Sequence, residues 1–169
     1  MRLFIAADFN ELKDYFTGLQ KQLPEAKSTL PKDFHLTLKF LGEVEDSKVD
    51  KIREALRKIK FKPFEAKVTK IGYFTPKFLK VVFVEVDNAI SKLQSDIDTK
   101  LEAMFKKESN FHPHLTIARI KFVNDKKKYI EALNKIKTEA KSVKISSFQL
   151  IKSTLTPEGP IYEVVEEYK

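Results

Sequence analysis

The sequence has no cysteine and no tryptophan, and only 4 glycines and 7 prolines in 169 residues. Without cysteine there is no disulfide framework, no thiolate zinc site, no iron–sulfur cluster and no cysteine nucleophile. So little glycine and proline excludes collagen-like and low-complexity chains. Apolar runs such as Val81–Val84 are strand-sized, too short to span a bilayer. The opening Met1–Asp8 reaches an acid too soon for a secretory signal. A soluble, cytoplasmic protein with no membrane partner is therefore expected. Two chemically capable residue types are also scarce: there are three histidines (His35, His112 and His114) and four arginines against 28 lysines.

What is present suits a folded chain: 42% of residues are apolar and 33% charged, enough for one domain or two small lobes sharing a core. The formal charge of +8 attracts polyanions, of which RNA and DNA are the commonest. Lysine- and glutamate-rich surfaces also occur in heat-adapted proteins for reasons unrelated to ligands, so charge alone leaves both readings open. No zinc-finger, KH or RRM pattern is present.

Periodicity predicts a strand over Arg2–Asp8 and a helix carrying Leu12, Phe16, Leu19 and Leu23 that ends near Pro24. Phe34–Leu41 reads as a strand stopped by Gly42. Asp46 and Ser47 offer N-cap oxygens to a second helix with Val49, Ile52, Leu56 and Ile59 on one face. Strands are expected at Phe64–Tyr73 and Leu79–Val86, and Asn88 can cap a long helix reaching Phe105. Leu115–Ile120 is a strand of the same kind as Phe34–Leu41. A helix from Asn124 to Ala140 follows, then strands at Val143–Thr154 and Ile161–Tyr168 around the Pro157–Pro160 turn. No phosphate-binding glycine loop occurs, and hairpin connections outnumber βαβ crossovers. The expected class is α+β with antiparallel sheets and flanking helices, as two lobes packed together rather than two independent domains.

Two of the three histidines open the same tripeptide, His35-Leu36-Thr37 and His114-Leu115-Thr116, 79 residues apart. On a strand, residues i and i+2 share a face about 6.6 Å apart. His35 and Thr37 therefore point one way while Leu36 and Leu38 join the core, and His114 and Thr116 do the same above Leu115 and Ile117. If the two halves are related by a pseudo-two-fold axis, the pairs face each other across one cleft and assemble two imidazoles and two hydroxyls with no carboxylate among them. Such a set suits a phosphodiester. One neutral imidazole takes a proton from an attacking oxygen, and a protonated one gives a proton to the leaving oxygen. The hydroxyls donate to non-bridging oxygens as charge grows there. A single histidine or strand threonine is ordinary structural chemistry; the duplication is what points to a site.

Other residues carry less. His112 and His114 share a face and could begin a metal site, but the three or four ligands such a site needs are not in view, so a supporting role for His112 is expected. Arg119 offers a guanidinium to a phosphate, although strict alternation puts it out of phase with Thr116 and a bulge would be needed. Tyr73, Phe74 and Phe78 are candidates for stacking a base or for core packing.

The segments Phe34-His35-Leu36-Thr37-Leu38-Lys39-Phe40-Leu41-Gly42-Glu43 and Phe111-His112-Pro113-His114-Leu115-Thr116-Ile117-Ala118-Arg119 closely resemble the paired motifs of the 2H phosphoesterase superfamily. Within it the chain looks like the RNA 2′,3′-cyclic phosphodiesterases, also called 2′-5′ RNA ligases, along its whole length. The resemblance implies a single domain over residues 1–169 made of two packed lobes, a bilobal α+β fold whose two antiparallel sheets are related by a pseudo-two-fold axis around a central cleft. It also implies hydrolysis of a 2′,3′-cyclic phosphate to a 2′-phosphate with no metal or other cofactor, on RNA ends or cyclic nucleotides, by a monomer. It makes His35 the proton donor and His114 the acceptor, with Thr37, Thr116 and Arg119 binding phosphate. Family members often carry Trp where this chain has Phe34, a difference away from the chemistry. The reverse reaction, a 2′-5′ joining to a 5′-hydroxyl, is implied as secondary. An RNA-end binding module with little turnover, and a metal-dependent phosphoesterase built on His112 and His114, are the alternatives.

Overall fold

The computed structural model describes residues 1–169. Its elements in chain order are β1 (Arg2–Asp8), α1 (Lys13–Gln22), β2 (Lys27–Thr29), β3 (His35–Glu43), α2 (Asp46–Arg57), β4 (Phe64–Tyr73), β5 (Val81–Val86), α3 (Ser91–Leu101), β6 (His114–Phe122), α4 (Lys126–Asn134), β7 (Lys141–Ile145), β8 (Phe148–Thr156) and β9 (Gly159–Tyr168). The fold is α+β. One antiparallel sheet has the order β3-β1-β8-β9, the other β2-β6-β5-β4-β7.

The two sheets do not divide the chain at its midpoint. The first takes its strands from both ends of the sequence; the second takes β4 to β7 from the middle and the short β2 from between β1 and β3, so β2, β4 and β5 join the sheet of the second motif. The helices are exchanged as well: α1 packs on β6 and α3 on β3. Each motif strand is thus backed by a helix from the other half of the sequence. One apolar cluster of 35 buried residues runs through both sheets, including Leu36 and Leu38 beneath the first motif and Leu115 and Ile117 beneath the second. Each such side chain contributes about 1.5–3 kcal/mol when fully buried, and this anchors the strands that carry the histidines. No helix is long and apolar enough to cross a membrane.

Several sequence expectations need correction. Gly42 does not stop β3. The strand runs on to Glu43 through a bulge opposite Leu3 and Phe4, with Gly42 at φ 69°, a backbone region that favours glycine. Asp46 and Ser47 lie inside α2 rather than capping it; Glu45 holds the N-cap position without a side-chain bond, and Asp46 faces the positive end of the helix dipole. Asn88 belongs to a 3₁₀ turn, and α3 stops at Leu101, before Phe105. Asp125 caps α4 through the Lys128 amide. That helix ends at Asn134, not Ala140; beyond it the Tyr15 hydroxyl bonds the backbone of Glu139 at 2.9 and 3.0 Å, just ahead of β7. The expected Val143–Thr154 strand is two, β7 and β8, which cross between sheets at Ser146 and Ser147. The three-residue β2 carries too little pattern to read from sequence.

Candidate active site

His35 and His114 are the first residues of β3 and β6, and the two strands have identical burial along their nine residues. Leu36, Leu38, Leu115 and Ile117 are buried, while His35, Thr37, His114 and Thr116 are half-buried on the opposite face. The strands belong to different sheets yet approach with Cα atoms within 8 Å of each other. Between the sheets lies a cavity of about 440 Å³ whose walls include His35, Thr37, Thr116 and Arg119. His114 is outside that lining set. It occupies the same strand face two residues before Thr116.

Arg119 reaches the cleft through a bulge. In the ladder with β5, Phe83 stands opposite Thr116 but Val82 stands opposite Ala118, so Ile117 is an extra residue and the alternation advances by one. Gln20 on α1 donates to the Ile117 carbonyl at 3.0 Å and to the Pro31 carbonyl at 2.9 Å, tying the bulge to the loop that forms one wall. The first motif carries the matching bulge at Leu38. There the next residue, Lys39, is buried and bonds Asp98 of α3 and the Lys106 carbonyl.

The two imidazoles have different surroundings. Nδ1 of His114 lies 2.7 Å from the His112 carbonyl. A carbonyl can only accept, so this nitrogen carries the proton and Nε2 keeps its lone pair. The supporting role of His112 therefore runs through its backbone. Its ring packs edge-on against Phe74 and Phe83, and the same two rings meet His114 at 5.0 and 5.2 Å between centroids. Burial pushes the His114 proton affinity down, the bond to His112 pushes it up, and the charges of His112 and Arg119 push it down again; the net direction is below the ordinary imidazole value. Burial also lowers His35; Asp8 and Asp33 oppose that effect without overturning it, and the net direction is again below the ordinary imidazole value. Asp8 stands directly opposite His35 in the β1–β3 ladder, and Asp33 lines the cavity. Nδ1 of His35 is buried without a protein partner, and its ring meets Tyr162 edge-on at 6.1 Å.

Sequence reasoning expected no carboxylate here and so missed Asp8 and Asp33; a cross-strand register, invisible in one sequence, was the signal needed. Of the aromatic candidates, none of Tyr73, Phe74 and Phe78 lines the cavity; Phe4 and Tyr162 do. No three His, Asp or Glu side chains cluster closely enough to hold a metal ion.

Gly72 shows how tightly the His114 side is packed. A Cβ there would lie 2.8 Å from the Phe83 ring, and that ring is buried among Phe74, His112 and His114. Gly72→Ala is expected to cost about 1–3 kcal/mol from overpacking and to lower turnover by displacing the His114 ring. Thermal melts and steady-state rates of the variant check both effects.

The family pattern described as "2'-5' RNA ligase superfamily" matches residues 7–156. Similar curated proteins include the RNA 2′,3′-cyclic phosphodiesterase of Methanocaldococcus jannaschii, 37% identical, with 99% of this chain and 100% of that one covered. Another, of the same name, comes from Thermotoga maritima and is 37% identical with 99% and 94% covered. Among solved structures, a Thermus thermophilus protein superposes with a TM-score of 0.82 at 23% identity, covering 99% and 97% of the two chains. E. coli LigT complexed with 3′-AMP gives 0.74 at 20% identity, with 99% and 96% covered. At these identities the structures show a shared fold. With the pattern spanning both histidine strands and full-length relatives on either side, the chain belongs to the 2′-5′ RNA ligase superfamily of 2H phosphoesterases.

Proposed function

We propose that the protein hydrolyses a 2′,3′-cyclic phosphate, at an RNA end or on a nucleotide, to a 2′-phosphate without a metal. The observation that carries this reading is the pair of His-x-Thr strands with the same burial pattern, approaching each other from opposite sheets. The names of the curated relatives support it. In the step, Nε2 of His114 takes a proton from water as its oxygen bonds to phosphorus, and the P–O3′ bond breaks. His35, as imidazolium, gives its proton to O3′. Thr37 and Thr116 donate to the non-bridging oxygens, and Arg119 offsets the charge that grows there. Proton exchange with solvent then resets both imidazoles. With a 5′-hydroxyl in place of water as the nucleophile, the same steps join two ends through a 2′-5′ linkage. Both lobes supply half of the chemistry, so the chain works as a single unit, and the site is complete in a monomer.

The charges around each imidazole fit these roles. Carboxylates of Asp8 and Asp33 favour protonated His35, the acid, while burial and the charge of Arg119 favour neutral His114, and the His112 carbonyl fixes its proton on Nδ1 so that Nε2 is free as the base. A bell-shaped pH–rate profile is expected, its alkaline limb set by loss of the His35 proton. Removing a carboxylate beside His35 weakens its hold on that proton. Asp8→Asn and Asp33→Asn are therefore expected to move the alkaline limb of kcat/KM to lower pH and leave the acidic limb in place. An alkaline limb that does not move in either variant contradicts the assignment of His35 as acid.

A further inference from the structure

Strand register places a run of apolar side chains on the same face of the first sheet as His35 and Thr37. Phe4 stands opposite Phe40 on β3 and Ile151 on β8, and Ile151 stands opposite Val164 on β9. Tyr162, two residues from Val164, joins this face. The rings follow one another outward from the site: His35 to Tyr162 at 6.1 Å, Tyr162 to Phe4 at 5.4 Å, and Phe4 to Phe40 at 6.2 Å. Phe4 and Tyr162 line the cavity, and Phe40 and Val164 lie outside it. Phe4 and Ile151 are buried as a floor, while Phe40 is 71% and Val164 55% exposed. The strip begins inside the cleft and continues out of it.

The second sheet presents the opposite chemistry. Phe40 and Arg119 are equivalent positions, each the fifth residue after its motif histidine and each exposed after a matching bulge. One bank of the cleft thus carries an exposed aromatic ring and the other a guanidinium, with Lys121 beyond it. β3 is also an edge strand of its sheet, where a phenylalanine this exposed invites association.

The reaction polarity says what runs along the strip. Water attacks from the His114 side and O3′ departs toward His35, so the ribose that carries O3′, and the RNA attached to it, lie on the side of the first sheet. We infer that Phe40 and Val164, continuing from Phe4 and Tyr162, form a stacking platform for nucleotides upstream of the cyclic end. The protein accordingly selects single-stranded RNA ends over free cyclic mononucleotides. This rests on the proposed cyclic-phosphate chemistry and adds to it a substrate class.

The test compares kcat/KM for a cyclic mononucleotide and for a tetranucleotide ending in the same cyclic nucleotide, using wild type, Phe40→Ala and Phe40→Trp. Phe40 is exposed enough that both variants are expected to fold, which circular dichroism melts verify. Wild type is expected to favour the tetranucleotide by about 10- to 100-fold. Phe40→Ala is expected to lose most of that preference with mononucleotide turnover unchanged, and Phe40→Trp to keep it. Equal use of both substrates by wild type, or equal losses on both in Phe40→Ala, overturns the inference. If no cyclic substrate turns over, the chemistry fails separately. Fluorescence anisotropy with a labelled tetranucleotide bearing a terminal 2′-phosphate then decides the platform: weaker binding by Phe40→Ala supports it, and unchanged binding overturns it. A Phe40→Ala change confined to self-association in sedimentation marks the strip as a contact between copies and also overturns it.

Discussion

Replacing His114 by alanine is expected to lower turnover of a 2′,3′-cyclic nucleotide by about 10²–10⁴-fold, the range for loss of one positioned general base or acid. The structure makes this loss specific. The His114 ring is half-buried and fixed by the His112 carbonyl, so removing it takes away the one nitrogen whose lone pair is held ready on that side, while Leu115 and Ile117 still anchor the strand. His35→Ala is expected to fall as far, for want of a proton on the departing oxygen. The double variant is expected to lose much less than the product of the two, since groups acting in one concerted step are not additive. Binding of a 2′-phosphorylated nucleotide is expected to survive in each single variant because Thr37, Thr116 and Arg119 remain. Single-turnover rates with parallel calorimetry check both halves. Near wild-type turnover in either variant would end the proposed mechanism, and binding without turnover in the wild type would favour an RNA-end binding module.

The second large effect concerns the fold. Asp98→Ala is expected to destabilise the protein by about 3–5 kcal/mol, the usual cost of stranding one member of a buried ion pair. Lys39 and Asp98 are only 7% and 5% exposed. The Lys39 ammonium has Asp98 and the Lys106 carbonyl as partners, and Asp98 also accepts from Gln94 at 2.9 Å and from the Glu108 amide at 2.8 Å. Burial raises the Asp98 proton affinity, but the bonds from Lys39, Glu108 and Gln94 outweigh it, leaving the carboxyl below its ordinary value of 3.8. A depressed carboxylate stabilises the fold above its unfolded-state value, and that contribution fades as pH falls through the folded one. The wild-type advantage over Asp98→Ala is therefore expected to be full at neutral pH and to shrink on acidification below about pH 4. Lys39→Met with Asp98→Leu is expected to recover only part of the loss, because it removes both buried charges but leaves the Gln94 amide, the Glu108 N–H and the Lys106 carbonyl without these partners. Urea titrations of wild type and the two variants read these differences, and a cost below about 1 kcal/mol for Asp98→Ala would show that the pair is dispensable.

Much of the site was legible because its signal is local. His35 and Thr37, like His114 and Thr116, are two residues apart on a strand, and a period of two is all that is needed to place them on one face above Leu36 and Leu115. The α+β class followed from the same patterns. What the sequence hid depends on partners far along the chain. Arg119 is out of phase by simple alternation and reaches the cleft only through the bulge at Ile117, which is held by Gln20 from another helix. Asp8 meets His35 through a strand pairing. The Lys39–Asp98 bond spans 59 residues. The division of Val143–Thr154 into strands of two sheets has no break in apolar pattern strong enough to announce it, only the Ser146-Ser147 pair. The segment between α4 and β7 is tied from afar in the same way, with Glu139 bonded to the hydroxyl of Tyr15, 124 positions away.

The central claim is that two imidazoles from opposite sheets open a cyclic phosphate without help from a metal. The measurement that meets it most directly is incubation with a 2′,3′-cyclic nucleotide in excess EDTA, with the product isomer resolved by phosphorus NMR. The account expects a 2′-phosphate alone, formed at the same rate with and without chelator. A 3′-phosphate product, or a rate abolished by EDTA and restored by zinc or manganese, would contradict it.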